Sequence, residues 1–350
     1  MTRKNLTWTL TSALVVLAAS GCGFVTGDDG GSSAGGDGAE CTDQDLRLAT
    51  IRAESDPATL AAEKFAELVD EGTDGQLTVR VFPNSQIGGV NDIFAGLSAG
   101  QEVDLFYEGI SIYPTLEGAS AFTITSVPFL WDSYDQLLQV LRSDRFGELL
   151  DEAAEATGVR VVAIEGDAEP RALSANRAIE TPADMEGLKL RIAEAPMPQA
   201  FARALGAEPQ VVPLADLYLA LRQGVVDAQE NGSITIVNQS LDEVQEFYMP
   251  TDYIRDARSW YVSDDWWQGL CQEHKDVVLD AAHEAGELDT AEVQKQMDEA
   301  MATLEDALTV VQPDVEAFRA AVAETFQQFD GDLWPAGLLD EVTELKEQAS

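Results

Sequence analysis

Residues 187–232 read GLKLRIAEAPMPQAFARALGAEPQVVPLADLYLALRQGVVDAQENG, and their punctuation decides the fold. Residues 188–192 are a short strand-like run with Arg191 near its end, followed by an expected helix over 197–205 and a strand at 210–212. Leu214, Leu217, Tyr218 and Leu221 then recur at the helical period and share a face until Gly224 stops the helix. A strand at 225–228 runs into Gln229, Glu230 and Asn231 before Gly232. Strands alternating with helices require crossover connections, and crossovers give a parallel sheet. Ligands of such sheets gather at the carboxyl ends of the strands, where Arg191 and Asn231 both fall. The arrangement suits a binding site better than a catalytic one.

Toward the N-terminus the same alternation occurs once more. A strand at 46–51 (LRLATI) precedes Asp56-Pro57, an N-cap with proline at the first helical position. Ala61, Phe65, Leu68 and Val69 keep the helical period as far as Gly72. Strands at 77–82 and 103–107 flank a helix at 91–99. A proline-aromatic turn, SVPFLW (126–131), leads into a helix carrying Leu137, Leu138 and Leu141. A further helix, 146–157, ends at Gly158, and a strand at 159–164 follows. The pattern restarts near residue 168, with a strand at 171–174 and a capped turn at 181–187. Beyond residue 232 we expect a helix at 233–240 and a strand at 259–263 (SWYVS). A long helical stretch, 272–308, has Val277, Val278, Ala281, Ala285 and Leu288 on one side, and its length lets it run across two domains. A helix at 315–329 and a polar tail close the chain.

The 350 residues carry 63 acidic and 21 basic side chains, a net charge of −42. Such a surface repels nucleic acid and anionic lipid, which excludes both as partners. The N-terminus has the parts of an export signal: Arg3 and Lys4, an apolar run over 10–19, and a small-residue end. That end, AASGC (18–22), resembles a lipobox, so residues 1–21 are expected to be removed and Cys22 lipidated. This would place the protein outside the cytoplasm, anchored to the cell membrane. Residues 22–40, rich in Gly, Ser and Asp, cannot build a core and read as a flexible tether. Cys41 and Cys271 remain, an even number that suggests a disulfide outside the cytoplasm, with two buried thiols as the alternative.

Catalytic signatures are missing. The chain has no Walker A loop, no G-x-G-x-x-G after a strand, no G-x-S-x-G and no H-E-x-x-H. His274 and His283 lie nine apart, which is not the spacing of a helical metal pair, and both are expected to face solvent. No cofactor, metal or enzymatic activity is expected.

The blocks AAEKFAELV (61–69), VFPNSQIGG (81–89), VPFLWDSYDQ (127–136), TPADMEGLKLR (181–191), 205–232 and DEVQEFYMPTDYI (242–254) resemble the substrate-binding proteins of tripartite ATP-independent periplasmic (TRAP) transporters. The resemblance implies an α/β fold of two periplasmic-binding-protein-like lobes, joined by crossing strands and spanned by a long helix. Residues 41–168 with 257–296 would form lobe I, and 169–256 with 297–350 lobe II. It also implies an organic acid ligand, a membrane permease as partner and a single chain as the working unit. A ligand sensor serving a receptor kinase is the alternative. Carried over, Arg191 would clamp the ligand carboxylate, Asn231 would donate an amide and Arg171 would supply a second arginine. Leu214 stands where an aromatic residue is common, and Tyr253 where some members have histidine. Arg52, Tyr107 and Glu108 occupy lobe I positions that could face the cleft.

Overall fold

The computed structural model describes residues 40–348; the signal segment, Cys22 and most of the tether lie outside them. In chain order, β1 (Gln44–Ala49), α1 (Pro57–Gly72), β2 (Leu77–Phe82), α2 (Val90–Ala99) and β3 (Leu105–Gly109) form the first alternating run. Asp56 caps α1 by accepting from the Ala58 amide at 3.0 Å, with Pro57 at its first position. The helices α3 (Tyr134–Leu141) and α4 (Asp144–Thr157) lead to β4 (Val159–Ala168). The second run is β5 (Ala172–Ala175), β6 (Lys189–Ile192), α5 (Pro196–Ala204), β7 (Glu208–Val211), α6 (Leu217–Arg222), β8 (Ala228–Asn231), α7 (Ser233–Asn238) and β9 (Phe247–Met249). The chain ends with β10 (Asp256–Ser263), α8 (Asp264–Gly269), α9 (Gln272–Ala307), β11 (Thr309–Val310), α10 (Val315–Val322) and α11 (Leu338–Gln348).

These strands make two sheets, ordered β2-β1-β3-β10-β4 and β11-β9-β5-β8-β6-β7, one per lobe. Neither is as parallel as the sequence suggests. β1 is parallel to β2 and β3, and β6 to β7 and β8, but β10 is antiparallel to both neighbours, as is β5. The reversed strands are the two reached by crossing directly from one sheet to the other, β4 to β5 and β9 to β10. Those short connections contain no helix, and the parallel direction depends on a helical crossover.

Helix α9 is a third crossing. Val278, Ala281, Ala282 and Ala285, in its first half, pack with Ala58, Ala61 and Phe65 of α1. Leu304, near its end, packs with Leu217, Leu221, Ile236 and Tyr248 of lobe II. Small residues let α9 approach β4 closely: a Cβ on Gly286 would lie 2.4 Å from that of Glu165. Gly166, on β4, has a φ of +107°, and a Cβ there would sit 2.2 Å from the Tyr107 hydroxyl.

Cys41 and Cys271 are bonded, with the sulfurs 2.06 Å apart across 230 residues of sequence. The bridge joins the approach to β1 with the N-cap of α9. Contrary to expectation, His274 is buried, and its Nε2 lies 2.9 Å from the Gln76 side-chain oxygen. His283 is exposed. The expected polar tail contains α11, which packs on α3. Glu341 accepts from Arg145 at 3.0 Å, and Lys346 donates to the Leu130 carbonyl. The expected helix at 315–329 ends at Val322 and resumes only as a 3-10 turn over Gln327–Phe329.

Beneath lobe I is a buried ionic cluster. Arg258 donates to Glu108 at 2.6 Å and lies 3.8 Å from Asp289 of α9 and 3.9 Å from Asp56. Burial pushes the Asp289 carboxyl up to about 7; Arg258 and the Tyr107 hydroxyl oppose the rise, while Asp56 and Asp167 add to it. Between its ordinary value and about 7 the folded chain holds a proton that the unfolded chain releases. The Asp289 contribution to stability therefore falls as pH rises through that window and stays low above it. We expect Asp289→Asn to stabilise the protein at about pH 8, on the order of a few kcal/mol, and to have little effect near about pH 4, where the unfolded chain also keeps the proton. Urea unfolding at both values checks this, and equal changes at the two would contradict it.

Candidate functional site

A cleft of about 540 Å³ separates the two sheets, within the usual range for small-molecule sites. Its walls are the carboxyl ends of the parallel strands. Ile51 and Arg52 follow β1, and Glu108 is on β3. From lobe II come Arg191 on β6, Val212 and Leu214 after β7, and Asn231 on β8. Arg171 and Asp256 belong to the crossing segments. Strands of both lobes point their ends at the same space, so residues far apart in sequence converge there.

Arg191 is 3% exposed. Its Nε donates to the Val212 carbonyl at 2.8 Å, which fixes the plane of the guanidinium. Among the described residues it forms no ion pair, in contrast to its neighbours. Burial lowers its pKa to about 10; the Glu230 carboxylate resists the fall, and positive Arg171 and Arg52 add to it. Arg191 is thus a desolvated cation without an anion.

The other two arginines of the cleft are committed. Arg171 is clamped by Glu230, which accepts from both its Nε and its Nη2. The same Nη2 reaches the Glu230 carbonyl at 2.8 Å and the Asn231 side-chain oxygen at 3.2 Å. Burial opposes the charge on Arg171, but Glu230 more than offsets that and its pKa is raised. Arg52 makes a bidentate pair with Glu108, Nε to Oε2 at 2.7 Å and Nη2 to Oε1 at 2.6 Å. Burial would push Glu108 up, yet Arg52 and Arg258 hold it at about 2.

Strand alternation explains β8. Gln229 and Asn231 share one side, joined by a 2.6 Å bond from the Asn231 amide to Gln229 Oε1, and Gln229 donates to Ser174 on β5. Glu230 points the other way, to Arg171 and to the Tyr253 hydroxyl at 2.7 Å.

The family described as bacterial extracellular solute-binding protein, family 7 (DctP), matches residues 48–332. The chain belongs to that family. Its members are the extracytoplasmic solute-binding components of TRAP transporters. A solute-binding protein of Roseobacter denitrificans is 29% identical over 280 residues, covering 80% of this chain and 85% of that one. The C4-dicarboxylate-binding periplasmic protein of Rhodobacter capsulatus is 28% identical over 264 residues, 75% of this chain and 78% of that one. The crystal structure of a TRAP periplasmic solute binding protein from Roseobacter denitrificans with bound L-galactonate has 27% identity and a TM-score of 0.79, covering 87% of this chain and 99% of that one.

In this TRAP solute-binding protein, Arg191, Asn231, Arg171, Glu108, Leu214 and Arg52 all line the cleft. Tyr253 does not: it is fully buried behind Glu230 and stacks on Phe201 with centroids 4.3 Å apart. Tyr107 also lies beneath, donating to the Glu165 carbonyl. The sequence reading missed Glu230 as the partner that neutralises Arg171, and Asp256 with Ser111 as a polar part of the wall. The period-two alternation of Gln229, Glu230 and Asn231 was the available signal for Glu230; Asp256 had none. Cys41, Cys271 and His274 bring three ligand-type atoms within 4.8 Å of one another. The two sulfurs are bonded to each other, which leaves one imidazole and no metal centre.

Proposed function

We propose that this protein captures an organic acid by its carboxylate and delivers it to a TRAP-type membrane permease driven by an ion gradient. The observation that carries this is Arg191, a buried guanidinium in a ligand-sized cleft with no anion of its own. A planar guanidinium pairs with a carboxylate through two parallel charge-assisted bonds and needs no titration step to do so. Asn231 adds a polar contact beside it, and Arg171, its charge matched by Glu230, lines the same cleft. The relatives support the reading, since they take acids as different as L-galactonate and C4-dicarboxylates. The net charge of −42 does not prevent it. At physiological ionic strength distant surface charges are screened within about 8 Å, whereas a desolvated arginine in contact is not. Lipidation at Cys22 would hold the protein, as a single chain, beside the permease.

A thermal-shift screen against organic acids tests this. A ligand present at about 100 times its Kd adds roughly 2.7 kcal/mol of stability, a readily measured rise in Tm. Stabilisation by neutral sugars and by no acid would contradict the proposal.

A further inference from the structure

The cleft's own charges constrain the charge of the ligand. Arg52, Arg171 and Arg191 line it together with five carboxylates, among them Glu108 and Asp256. Arg52 is spent on Glu108 and Arg171 on Glu230. Among the described residues of the wall, only Arg191 is a cation without an acidic partner. Asp256 stands at the head of β10 and is 7% exposed. Its Oδ1 accepts from the backbone amides of Ser111 at 3.1 Å and Ala257 at 2.9 Å, and its Oδ2 from the Ser111 hydroxyl. It has no ion-pair partner among the described residues, and burial already raises its pKa, with nearby Glu108 adding to the rise.

We infer that the cleft takes a singly charged acid, its carboxylate on Arg191 and a neutral, hydroxyl-bearing remainder against Asp256, and that Asp256 excludes a second carboxylate. The inference rests on the carboxylate reading above. A second carboxylate would need a cation. Drawing Arg52 or Arg171 away would strand Glu108 or Glu230 as a buried, unpaired charge, which is costly. Resting it beside Asp256 would set like charges together out of water. A hydroxyl has neither problem, because it can donate to the Asp256 carboxylate.

The test is calorimetric titration with matched pairs: L-galactonate against galactarate, which differ only in whether the far end is an alcohol or a carboxylate, and 4-hydroxybutyrate against succinate. The monoacid is expected to bind tighter in at least one pair, by about tenfold or more. Asp256→Asn keeps the shape of the side chain, and its amide can still accept from both backbone N–H groups and donate to the Ser111 hydroxyl oxygen. Its fold is checked by urea unfolding, and it is expected to narrow the ratio by admitting the diacid. Diacids that bind as tightly as their monoacids in both pairs, or a ratio unchanged in Asp256→Asn, overturn the inference. If Arg191→Ala still abolishes binding in that case, the carboxylate reading survives. Failure of every acid of both kinds to bind removes the carboxylate reading and this inference with it.

Discussion

An Arg191→Ala variant is expected to lose about 2–5 kcal/mol of affinity for its acid ligand, roughly thirtyfold to several thousandfold. The loss combines the two charge-assisted bonds of one bidentate pair with the cost of leaving a carboxylate unpaired in a closed cleft. Stability without ligand should move the other way. Arg191 is 3% exposed and unpaired, and a buried cation without a partner weakens the fold. The variant should therefore melt at the same temperature as the wild type or higher, while its ligand-induced shift disappears. Arg191→Lys keeps the charge but not the planar fork, and should recover only part of the affinity. Calorimetry and melting together decide the matter: unchanged affinity in Arg191→Ala removes this residue from the mechanism. Lost affinity with a large drop in stability would make it a structural residue instead.

Glu108→Gln is expected to destabilise the fold by about 3–5 kcal/mol, because one buried carboxylate serves two guanidiniums, the half-buried Arg52 and the buried Arg258. The pH dependence follows from its lowered pKa. In the unfolded chain Glu108 titrates near its ordinary value, and in the folded chain at about 2. The stability it contributes is full above that ordinary value and is lost as pH falls through about 2. The gap between wild type and Glu108→Gln should thus be constant near neutral pH and shrink in acid. A gap that does not change with pH, measured by urea unfolding, would show that Glu108 matters for its shape and not for its charge. Asp289 lies in the same cluster and moves stability in the opposite direction, so the double variant with Asp289→Asn should not equal the sum of its parts.

Much of this architecture is legible in the sequence, for reasons particular segments make plain. Leu77–Phe82 alternates cleanly, and both its ends fall where the alternation begins and stops. The long helix is legible because Ala, Glu and Leu sustain one period from Gln272 to Ala307. The polar triplet Gln229, Glu230 and Asn231 reads as a turn but forms β8 itself. Its side chains are all buried and satisfied by partners in other segments, so polarity hid a central strand. Leu338 and Val342 are the only buried residues of α11, too sparse a stripe to stand out in an acidic tail. His274 is buried with its imidazole against Gln76, 198 residues away in sequence, a tertiary contact that no local pattern announces. In the site, Arg191 and Asn231 were legible from the motifs around them. That Arg52 and Arg171 are already neutralised was not, because pairing with Glu108 and Glu230 depends on tertiary contacts that leave no local pattern.

The disulfide also determines how the fold bears load. A pull on the chain at Glu40 meets Cys41 first and passes through the sulfur–sulfur bond into the start of α9, a helix seated in both lobes. The force then runs along a covalent path into the longest element of the molecule before it reaches the hydrogen bonds of β1. The sheet that presents Arg52 and Glu108 to the cleft is thereby kept out of series with whatever holds the N-terminus.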